Sequence, residues 1–588
     1  MDTKYEIYRD AKTPLPQQVW AWNLYGAGLE SIGRDGKPEL EVLPQEPGDD
    51  QLLVRIDSVG LCFSDLKVIR LGPDHPKLYG RDMRKEPTRL GHEVSLTIFK
   101  VGKNLRDRYS PGQRLAVQPD IYQEGKSTAY GYTVPGGLIQ YHLIGPEVLQ
   151  TDEGECLLPI KNENMSYAGS SLLEPWGCVM AAYTHRRRLE PLEDGVMWIL
   201  GRPGDQIEYQ FSAGLEAPAL IVLTDAPPSM VRLARESGAQ VVMRNGLKED
   251  DFESLSAEFT HDRGFDDVVV LDPRSAKRIG AAARYIARRG VMNLVGREPL
   301  DGMVDGDVGR LHYDYIAFVG STGPDIAASY GEERNRCELR SNGVAVFIGA
   351  GGPMGQMHVQ RAIELPGGPR KIVATELNDE RLAALRDRFL PLAEKNNREL
   401  VLFNPETASR SLNDLVMELS EGRGADDVVV CVPVAKLMAE GAAMMNPDGM
   451  LVLFAGVPNG TLAPLDLSRV YLNNAQYTGT SGLTLQDQKL VLDRSLAGTL
   501  SPELSVAAIG GLNTAKEGFS ALMEGRSPGK IIIFPQIKDL PLMGLDELVE
   551  KIPAVGAKLG PGGAWTLEAE AELFERYWQP GETASSGG

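Results

Sequence analysis

The chain contains 588 residues, of which 42 % are apolar, and it carries a formal net charge of −20 at pH 7. This length leaves room for several domains, because single hydrophobic cores rarely grow beyond about 250–300 residues. The excess of negative charge argues against a nucleic-acid backbone or an anionic membrane surface as partner, since both would repel the protein. We therefore expect neither a nucleic-acid nor a membrane partner.

Cysteine usage and the terminal sequence bear on the compartment. The cysteines are scattered, odd in number and without a Cys-x-x-Cys pair: Cys62, Cys156, Cys178, Cys337 and Cys431. Such a pattern is typical of a reducing compartment. The first six residues are charged and lack the apolar core of a signal peptide, and no apolar run approaches the roughly 20 residues that span a bilayer. We predict a cytoplasmic protein.

The chain divides into two regions with different sequence patterns. Up to about residue 190, short runs such as Gln51-Leu-Leu-Val-Arg-Ile56 and Arg114-Leu-Ala-Val117 are separated by Gly and Pro turns, which predicts a β-rich domain. From about Gly195, aliphatic runs alternate with helical patterns. That alternation predicts βαβ units on parallel sheets, so the fold class is α/β.

The second region repeats itself. Arg263-Gly-Phe-Asp-Asp-Val-Val-Val270 recurs as Arg423-Gly-Ala-Asp-Asp-Val-Val-Val430, an offset of 160 (423 − 263). Solenoid repeats have periods of roughly 20–50 residues, so an offset of this size indicates duplication of a whole domain. We predict two tandem Rossmann-type domains, each a doubly wound parallel sheet.

The second of these domains carries a nucleotide-binding pattern, and we call it the intact copy. A strand is followed by the turn Gly349-Ala-Gly351-Gly352-Pro-Met354-Gly355, and Glu376 ends the next predicted strand. Glycines of this spacing let the backbone approach a pyrophosphate at a helix N-terminus, while the acid accepts hydrogen bonds from ribose hydroxyls and repels a 2′-phosphate. The predicted cofactor is NAD, with Gly456 after a later strand also at its site.

The first domain has a shorter and more acidic turn, and we call it the degenerate copy. The corresponding segment is Gly201-Arg-Pro203-Gly204-Asp205. A proline and a carboxylate are unsuited to cradling a pyrophosphate, which favours a structural role for this copy over ordinary dinucleotide binding.

Chemistry-bearing residues are concentrated in the β-rich domain. Cys62, His92, Glu93 and Glu174 supply a thiol, an imidazole and two carboxylates, the ligand types of a catalytic zinc. Close behind Cys62 follow the polar residues Ser64 and Asp65, which suit ligand orientation and proton transfer. The sequence thus predicts a metal centre, although each residue alone is as compatible with a role in a core.

The combination of Cys62-x-Ser64-Asp65, Gly91-His92-Glu93 and Glu174-Pro175 resembles the zinc-dependent medium-chain dehydrogenases. The resemblance implies a GroES-like catalytic domain, an active site in the cleft beside the Rossmann domain, and hydride transfer between NAD and a secondary alcohol or ketone. It implies that Cys62, His92 and Glu93 or Glu174 hold the zinc and that Ser64 relays the proton. Residues 118–126 contain no cysteine, so we expect one catalytic zinc and no structural zinc.

Substrate identity is less constrained. Seven basic residues lie between Cys62 and His92, namely Lys67, Arg70, Lys77, Arg81, Arg84, Lys85 and Arg89. They could hold a phosphate or be solvated loop charges, and His75 among them could touch substrate or cap a turn. We expect a polyol, sugar or sugar phosphate as substrate. The alternative from another functional class is a non-catalytic nucleotide-sensing or assembly protein built on the same fold.

The predicted boundaries are 1–190 for the catalytic domain, completed by about 486–535, then 191–339 for the degenerate copy, 340–485 for the intact copy and 536–588 for a helical tail. In the tail, Leu567, Ala571, Phe574 and Trp578 share one helical face that we expect to dock on the protein. Residues from Gly581 onward are predicted to be disordered.

The duplication also predicts an assembly. Exposed sheet edges favour pairing, and tethering two of them on one chain raises their effective concentration. We expect the edges near residues 315–319 and 475–478 to pack together as an internal pseudo-dimer. Further association into a homo-oligomer is left open.

Overall fold

Three large β-sheets organise the chain in the computed structural model, which describes residues 3–161 and 164–580. One sheet has eight strands and the other two have six each. The two six-stranded sheets are parallel and alternate with helices, so the predicted α/β class is confirmed. Among the described residues, no helix combines the length and the apolar character needed to cross a membrane.

Residues 3–190 form most of the eight-stranded sheet. Their strands are β1 (Gln18–Ala21), β2 (Glu39–Val42), β3 (Leu52–Gly60), β4 (Glu93–Val101), β5 (Arg114–Val117), β6 (Tyr122–Gln123), β7 (Lys126–Ser127), β8 (Tyr141–Ile144) and β9 (Leu157–Ile160). Their helices are α1 (Lys4–Arg9), α2 (Phe63–Leu71), α3 (Pro146–Leu149), α4 (Tyr167–Ser171) and α5 (Leu173–Thr184). β3 and β4 pair antiparallel, which places Gly60 opposite Glu93 at one end of the pair.

The degenerate copy contains the first six-stranded sheet. Its strands are β10 (Val196–Leu200), β11 (Leu220–Thr224), β12 (Gln240–Met243), β13 (Phe265–Leu271), β14 (Ile286–Val295), β15 (Val304–Asp307) and β16 (Ala317–Ser321). Its helices are α6 (Pro228–Glu236), α7 (Phe252–Thr260), α8 (Ala276–Ala283) and α9 (Val308–Tyr313). The strand order is β12-β11-β10-β13-β14-β16, which is the order of a doubly wound dinucleotide-binding sheet.

The intact copy repeats this plan. Its strands are β17 (Val344–Ile348), β18 (Lys371–Thr375), β19 (Glu399–Phe403), β20 (Ala425–Val430), β21 (Met445–Leu453), β22 (Leu462–Leu465) and β23 (Gln476–Gly479). Its helices are α10 (Pro353–Glu364), α11 (Asp379–Lys395), α12 (Leu412–Leu419), α13 (Ala435–Met444) and α14 (Ser468–Asn473). The order β19-β18-β17-β20-β21-β23 matches that of the degenerate copy strand for strand.

The remaining residues return to the eight-stranded sheet, and together with residues 3–190 we call them the catalytic unit. They form α15 (Leu485–Leu496), β24 (Val506–Gly511), α16 (Ala515–Met523), β25 (Lys530–Phe534), β26 (Met543–Gly544), α17 (Leu545–Lys551), α18 (Pro553–Gly556) and α19 (Leu567–Tyr577). β25 pairs antiparallel with β3, and β24 and β26 extend the sheet beyond it. The segment predicted to be a helical tail therefore also contributes a strand.

The repeated Asp-Asp pair has a structural reason in both copies. In the degenerate copy, Asp266 accepts a hydrogen bond from the first backbone N–H of β10, at Val196 (2.9 Å), and Asp267 pairs with Arg188 of the incoming linker at 3.2 Å. The same contacts recur in the intact copy, between Asp426 and Val344 and between Asp427 and Arg336. The pair thus fixes where the chain enters each parallel sheet.

The two copies differ at the first turn of the sheet. In the intact copy, α10 begins directly after the glycine turn, whereas residues 201–219 of the degenerate copy form a loop between β10 and β11. Asp205 is buried there and accepts hydrogen bonds from Ile207 N (2.9 Å) and from the Tyr209 hydroxyl (2.9 Å). Without a helix N-terminus at this turn, the feature that binds pyrophosphate in such folds is missing.

The two copies face each other with approximate twofold symmetry. β15 pairs antiparallel with its counterpart β22, and the register joins Val304 to Leu465 and Asp307 to Leu462. The first residue of β15 thus pairs with the last residue of β22, and the last residue of β15 pairs with the first of β22. Two equivalent strands related by a twofold axis pair in this way, as in an isologous contact. The edge strands β16 and β23 are neighbours, although no ladder of backbone hydrogen bonds joins them among the described residues.

The final helix α19 docks on the catalytic unit through a face that includes the predicted Phe574 and Trp578 but is rotated away from Leu567 and Ala571. Its buried residues are Ala569, Glu570, Leu573 and Phe574, followed by Trp578, whereas Leu567 and Ala571 are half-buried. The shift arises because Glu570 points inward to cap α4, accepting hydrogen bonds from Tyr167 N (2.6 Å) and Ala168 N (3.0 Å). The segment from Gly581 onward, predicted to be disordered, lies outside the described residues.

We predict that Glu570→Ala lowers the free energy of unfolding by about 3 kcal/mol, because it leaves the buried N–H groups of α4 and the indole N–H of Trp565 without their acceptor. Urea denaturation measures the loss, and limited proteolysis detects release of the tail. Glu568→Ala, at an exposed position of the same helix, is the control. Equal effects of both changes would contradict the capping role.

The same substitution should show a defined pH dependence. Burial raises the pKa of Glu570 to about 7, although its three donors act in the opposite direction. A raised folded-state pKa means that the contribution of this side chain is fully present below the ordinary value of 4.5 and is lost as pH rises through about 7. The difference between the unmodified protein and Glu570→Ala should therefore be larger near pH 5 than near pH 8.

Candidate active site

Three of the predicted ligands converge at one end of the strand pair β3 and β4. Cys62 follows β3 and stands at the N-terminus of α2, while His92 directly precedes β4 and Glu93 begins it. Their candidate ligand atoms all lie within 4.8 Å of one another. Because adjacent strands of one sheet deliver all three side chains, the local fold alone brings together residues 30 positions apart (92 − 62) in sequence.

Asp65 orients two members of this cluster. Its carboxylate accepts a hydrogen bond from the backbone N–H of Cys62 (3.1 Å) and lies 3.1 Å from Nδ1 of His92. Burial alone would lower the pKa of His92, but the charge of Asp65 outweighs it and raises that pKa well above its usual value. With Nδ1 directed at a carboxylate, Nε2 is the nitrogen left for a metal.

Glu93 has one carboxylate oxygen in use and one free. Oε1 forms a buried ion pair with Nζ of Lys530 on β25, whereas Oε2 is enclosed without any hydrogen-bond partner among the described residues. Gly60 makes room for it, since a Cβ at that position would lie 2.1 Å from Oε2. A buried carboxylate oxygen left without a partner is costly, and a bound cation removes that cost.

Glu174 lies beside the cluster on α5 and is not one of the three convergent ligands. Burial, together with the charge of Glu93, raises the pKa of Glu174 to about 7, while His92 and Lys530 act in the opposite direction. The thiol of Cys178, one helical turn on, is 3.8 Å from its carboxylate. The structure thus brings Cys62, His92 and Glu93 together and places Glu174 next to them.

The surroundings of Ser64 form a polar path from the cluster. Ser64 interacts with the hydroxyl of Tyr132, whose ring centroid lies 5.8 Å from that of His92 and 5.3 Å from that of His75. Nδ1 of His75 accepts a hydrogen bond from the backbone N–H of Lys77 (3.3 Å), so His75 does cap a turn. Burial, followed by the charges of Lys77 and Lys67, lowers the pKa of His75 to about 4.

The donor set suits a zinc ion. A thiolate, an imidazole nitrogen and a carboxylate oxygen converge, a second carboxylate is adjacent, and such sets leave a position open for a substrate oxygen. The free oxygen Oε2 of Glu93 is the specific observation that supports an ion there. The residues present therefore fit the metal that the sequence predicts.

The predicted dinucleotide turn has the required shape. Gly349 adopts a φ of +77°, and Gly352, where a side chain would meet nothing within 4 Å, ends the turn at the N-terminus of α10. Glu376 follows β18 and packs against Gly351, where a Cβ would lie 2.0 Å from its Oε2. Of the other residues predicted at this site, Met354 and Gly355 lie in the first turn of α10, and Gly456 lies three residues past the end of β21.

Sequence reasoning missed three residues at this site. Lys530 lies in β25, and its partner Glu93 is 437 residues away in sequence. Tyr132 carries no motif, and it is placed by the fold beside Ser64. His312 belongs to the degenerate copy, whose sequence predicts a structural role, and its ring lies against Gly456. An unexplained lysine in an otherwise apolar strand was the one signal available for Lys530.

Comparison with known sequences matches two parts of the chain to dehydrogenase domains. The alcohol dehydrogenase GroES-like domain matches residues 48–150, and the zinc-binding dehydrogenase domain matches residues 353–496. These segments contain Cys62, His92 and Glu93 in the first case and most of the intact copy in the second.

Several curated relatives act on sugar phosphates or polyol phosphates. Mannitol-1-phosphate 5-dehydrogenase of Aliivibrio fischeri is 23 % identical over 546 residues, which cover 90 % of this chain and 92 % of the relative. L-sorbose 1-phosphate reductase of Klebsiella pneumoniae is also 23 % identical, over 95 % of this chain and 98 % of its own length. D-arabitol-phosphate dehydrogenase of Enterococcus avium is 27 % identical over 50 % of this chain and 82 % of its own.

Among solved structures, 2R,3R-butanediol dehydrogenase of Bacillus subtilis superimposes with a TM-score of 0.50 at 15 % identity, covering 88 % of this chain and 99 % of that protein. At this identity the likeness establishes the fold and carries no statement about substrate. The predicted fold class thus agrees with both the sequence and the structure comparisons.

Proposed function

The chain belongs to the zinc-dependent medium-chain alcohol dehydrogenase superfamily, and from that premise we propose that it is an NAD-dependent oxidoreductase of polyol or sugar phosphates. One observation carries this proposal: the convergence of Cys62, His92 and Glu93, together with an oxygen of Glu93 that has no hydrogen-bond partner among the described residues. A protein that only sensed nucleotides would not need that convergence, so the enzyme is favoured over the non-catalytic alternative.

The chain's own residues would divide the work as follows. Cys62, His92 and Glu93 hold the metal, with Glu174 adjacent, and Asp65 keeps His92 in the required orientation. When bound, zinc would lower the pKa of an oxygen ligand to about 7, and the nicotinamide ring would supply the hydride acceptor.

Proton movement then falls to the polar path. The alcohol proton passes to Oγ of Ser64, which is half-buried and lies beside the Tyr132 hydroxyl. His75 borders the same path, but its Nδ1 already accepts a hydrogen bond from the backbone N–H of Lys77, so the neutral ring carries its hydrogen on Nε2 and we assign it no proton transfer. In the reverse direction, Ser64 returns a proton to the oxygen of a ketone.

The substrate class follows from one basic residue. Four of the seven basic residues between Cys62 and His92 already bind protein oxygens: Lys77 to Asp120, Lys85 to Asp82, Arg89 to Glu41, and Arg81 to Thr133. Lys67, Arg70 and Arg84 are exposed and have no acidic partner among the described residues, and of these Lys67 lies one helical turn after Ser64 on α2. Its charge contributes to lowering the pKa of both His75 and His312, which supports a position near both side chains.

We therefore assign Lys67 to the phosphate of the substrate. An ammonium group near the proton-relay residue can bind a phosphate while the carbinol carbon faces the metal. The curated relatives that act on mannitol 1-phosphate and L-sorbose 1-phosphate support a phosphorylated substrate. Among the four paired residues, Lys85 is a solvated loop charge, whereas Arg89 is largely buried beside Glu41.

The duplication points to a single cofactor site and an internal pseudo-dimer. The degenerate copy lacks a helix after its first strand, whereas the intact copy has both the glycine turn and Glu376. The symmetric pairing of β15 with β22 supports the view that the degenerate copy replaces a partner subunit. One dinucleotide per chain is the expected stoichiometry.

The zinc prediction is tested by elemental analysis, which should give about one zinc per chain. Cys62→Ala should lose both metal and turnover because it removes a ligand, and Asp65→Asn should weaken zinc binding about 10- to 100-fold by releasing His92. Asp74→Asn, exposed just after α2, serves as the control. Full turnover by protein from which zinc has been removed would contradict the proposed mechanism.

The NAD prediction is tested with Glu376→Ser. The carboxylate should favour NAD by accepting hydrogen bonds from the ribose hydroxyls, and it should repel the 2′-phosphate of NADP. The serine variant should therefore bind NAD more weakly and NADP more tightly than the unmodified protein. Glu380→Ser, exposed in the first turn of α11, is the matched control. Faster turnover with NADP by the unmodified protein would show that Glu376 is misplaced. A calorimetric stoichiometry of two would reject the single site.

The phosphate prediction is tested with Lys67→Met. Loss of a charge-assisted hydrogen bond should lower kcat/KM for mannitol 1-phosphate about 10- to 100-fold while leaving that for mannitol nearly unchanged. Lys85→Met, exposed and paired with Asp82, is the control that removes a lysine from the same segment. An equal loss on both substrates would contradict a specific role for Lys67 in phosphate binding.

A further inference from the structure

Helix α9 of the degenerate copy packs against the cofactor-binding copy at a glycine. A Cβ on Gly456 would lie 2.5 Å from the hydroxyl of Tyr313 and 2.7 Å from Nε2 of His312. Gly456 follows β21, so its turn lies at the carboxyl end of that strand. The last two residues of α9 therefore touch a turn on the ligand-binding side of the other sheet.

A third residue of the degenerate copy reaches the neighbouring turn. The hydroxyl of Tyr315 hydrogen-bonds to the backbone oxygen of Ser481, just past the end of β23, and lies 3.1 Å from its Oγ. Both residues line a cavity of about 350 Å³ that also includes Asp120 of the catalytic unit. The degenerate copy thus borders open space shared by all three parts of the chain.

These two turns belong to one half of the nucleotide site. A doubly wound sheet binds the two mononucleotides of its cofactor on its two halves, at the carboxyl ends of the strands. The glycine turn and Glu376, on β17 and β18, mark the adenosine half. The turns after β21 and β23 therefore frame the nicotinamide half, where the reaction takes place; this step rests on the function proposed above.

The ring of His312 is held in one orientation with one nitrogen available. Nδ1 lies 3.0 Å from the backbone oxygen of Leu453, and since a carbonyl can only accept, Nδ1 carries the hydrogen. Burial, opposed by this hydrogen bond, lowers the pKa of His312 to about 4, so the ring is neutral near pH 7. Nε2 then has a free lone pair, and it has no protein partner among the described residues and is not sealed from solvent.

The symmetric counterpart of this contact offers no such group. Tyr471 on α14 is the counterpart of His312, and a Cβ on Gly296, the counterpart of Gly456, would lie 3.4 Å from a ring carbon of Tyr471, whose hydroxyl donates to the backbone oxygen of Glu298 at 2.6 Å. Every polar atom of that side chain is used within the protein. The mirrored interface is thus structural, whereas the interface at Gly456 presents an unused acceptor to the cofactor side.

We propose that the degenerate copy forms one wall of the nicotinamide half of the active site and that Nε2 of His312 accepts a hydrogen bond from a hydroxyl group bound there. The hydroxyl comes from the nicotinamide ribose or from the polyol substrate, which present the same O–H donor to a neutral imidazole nitrogen. The duplicated domain thereby supplies a contact to the reacting partners as well as a structural interface.

Two substitutions of His312 distinguish a role of Nε2 as hydrogen-bond acceptor from a role of the ring in packing alone. His312→Asn keeps an N–H donor for Leu453 and removes the acceptor at Nε2, whereas His312→Gln places a polar atom where Nε2 stood. Tyr471→Phe removes one hydrogen bond from the mirrored interface and is the matched control. Each variant is compared with the unmodified protein by thermal unfolding, by NADH binding followed through fluorescence, and by the KM for mannitol 1-phosphate at saturating NAD.

Loss of one neutral hydrogen bond should weaken binding about three- to tenfold in His312→Asn, with recovery in His312→Gln and no change in Tyr471→Phe. A raised Kd for NADH assigns the hydroxyl to the ribose, and a raised KM with unchanged Kd assigns it to the polyol. Unchanged values of both in His312→Asn, or equal effects of His312→Asn and Tyr471→Phe, would overturn the inference. Failure of the unmodified protein to bind NADH would overturn the proposed function and this inference with it.

Discussion

The buried ion pair between Glu93 and Lys530 is the constraint on which the architecture depends. Neither charge can be left unpaired at such depth without a cost of several kcal/mol, so the strand carrying Lys530 must lie beside the strand pair carrying Glu93. That requirement closes the eight-stranded sheet through the pairing of β25 with β3. Both Rossmann copies therefore lie in sequence between β9 and β25 of the eight-stranded sheet, and the pairing of β25 with β3 brings the chain back beside Cys62, His92 and Glu93.

The insertion of both copies between strands of this sheet also explains how three parts of the chain meet at the candidate active site. The catalytic unit contributes the cluster of Cys62, His92 and Glu93, the intact copy contributes the glycine turn and Glu376, and the degenerate copy packs α9 against Gly456. Tethering keeps the two copies at a high effective concentration, so their symmetric contact through β15 and β22 does not require a second chain. The degenerate copy has a loop in place of the first crossover helix, and it keeps its contact with the intact copy.

Local patterns predicted much of this arrangement. The 160-residue offset between the Asp-Asp motifs indicated two equivalent sheets, and the structure shows the same strand order in both. The tail was predicted to dock, and Phe574 and Trp578 are buried as predicted. Leu567 and Ala571 are only half-buried, because helical periodicity ranks residues by apolar character and does not predict that Glu570 turns inward to cap α4. A buried carboxylate is invisible to such a pattern unless its donors are known.

The sequence by itself determined the α/β class, the duplicated sheets and the ligand types around Cys62 and His92, because each is encoded within short segments of the chain. Only the tertiary structure decided that Lys530 neutralises Glu93, that Tyr132 lies beside Ser64, and that His312 borders Gly456. These contacts join residues that are distant in sequence and carry no shared motif. Their physical reason is long-range packing and the pairing of buried charges, which act through the folded chain as a whole.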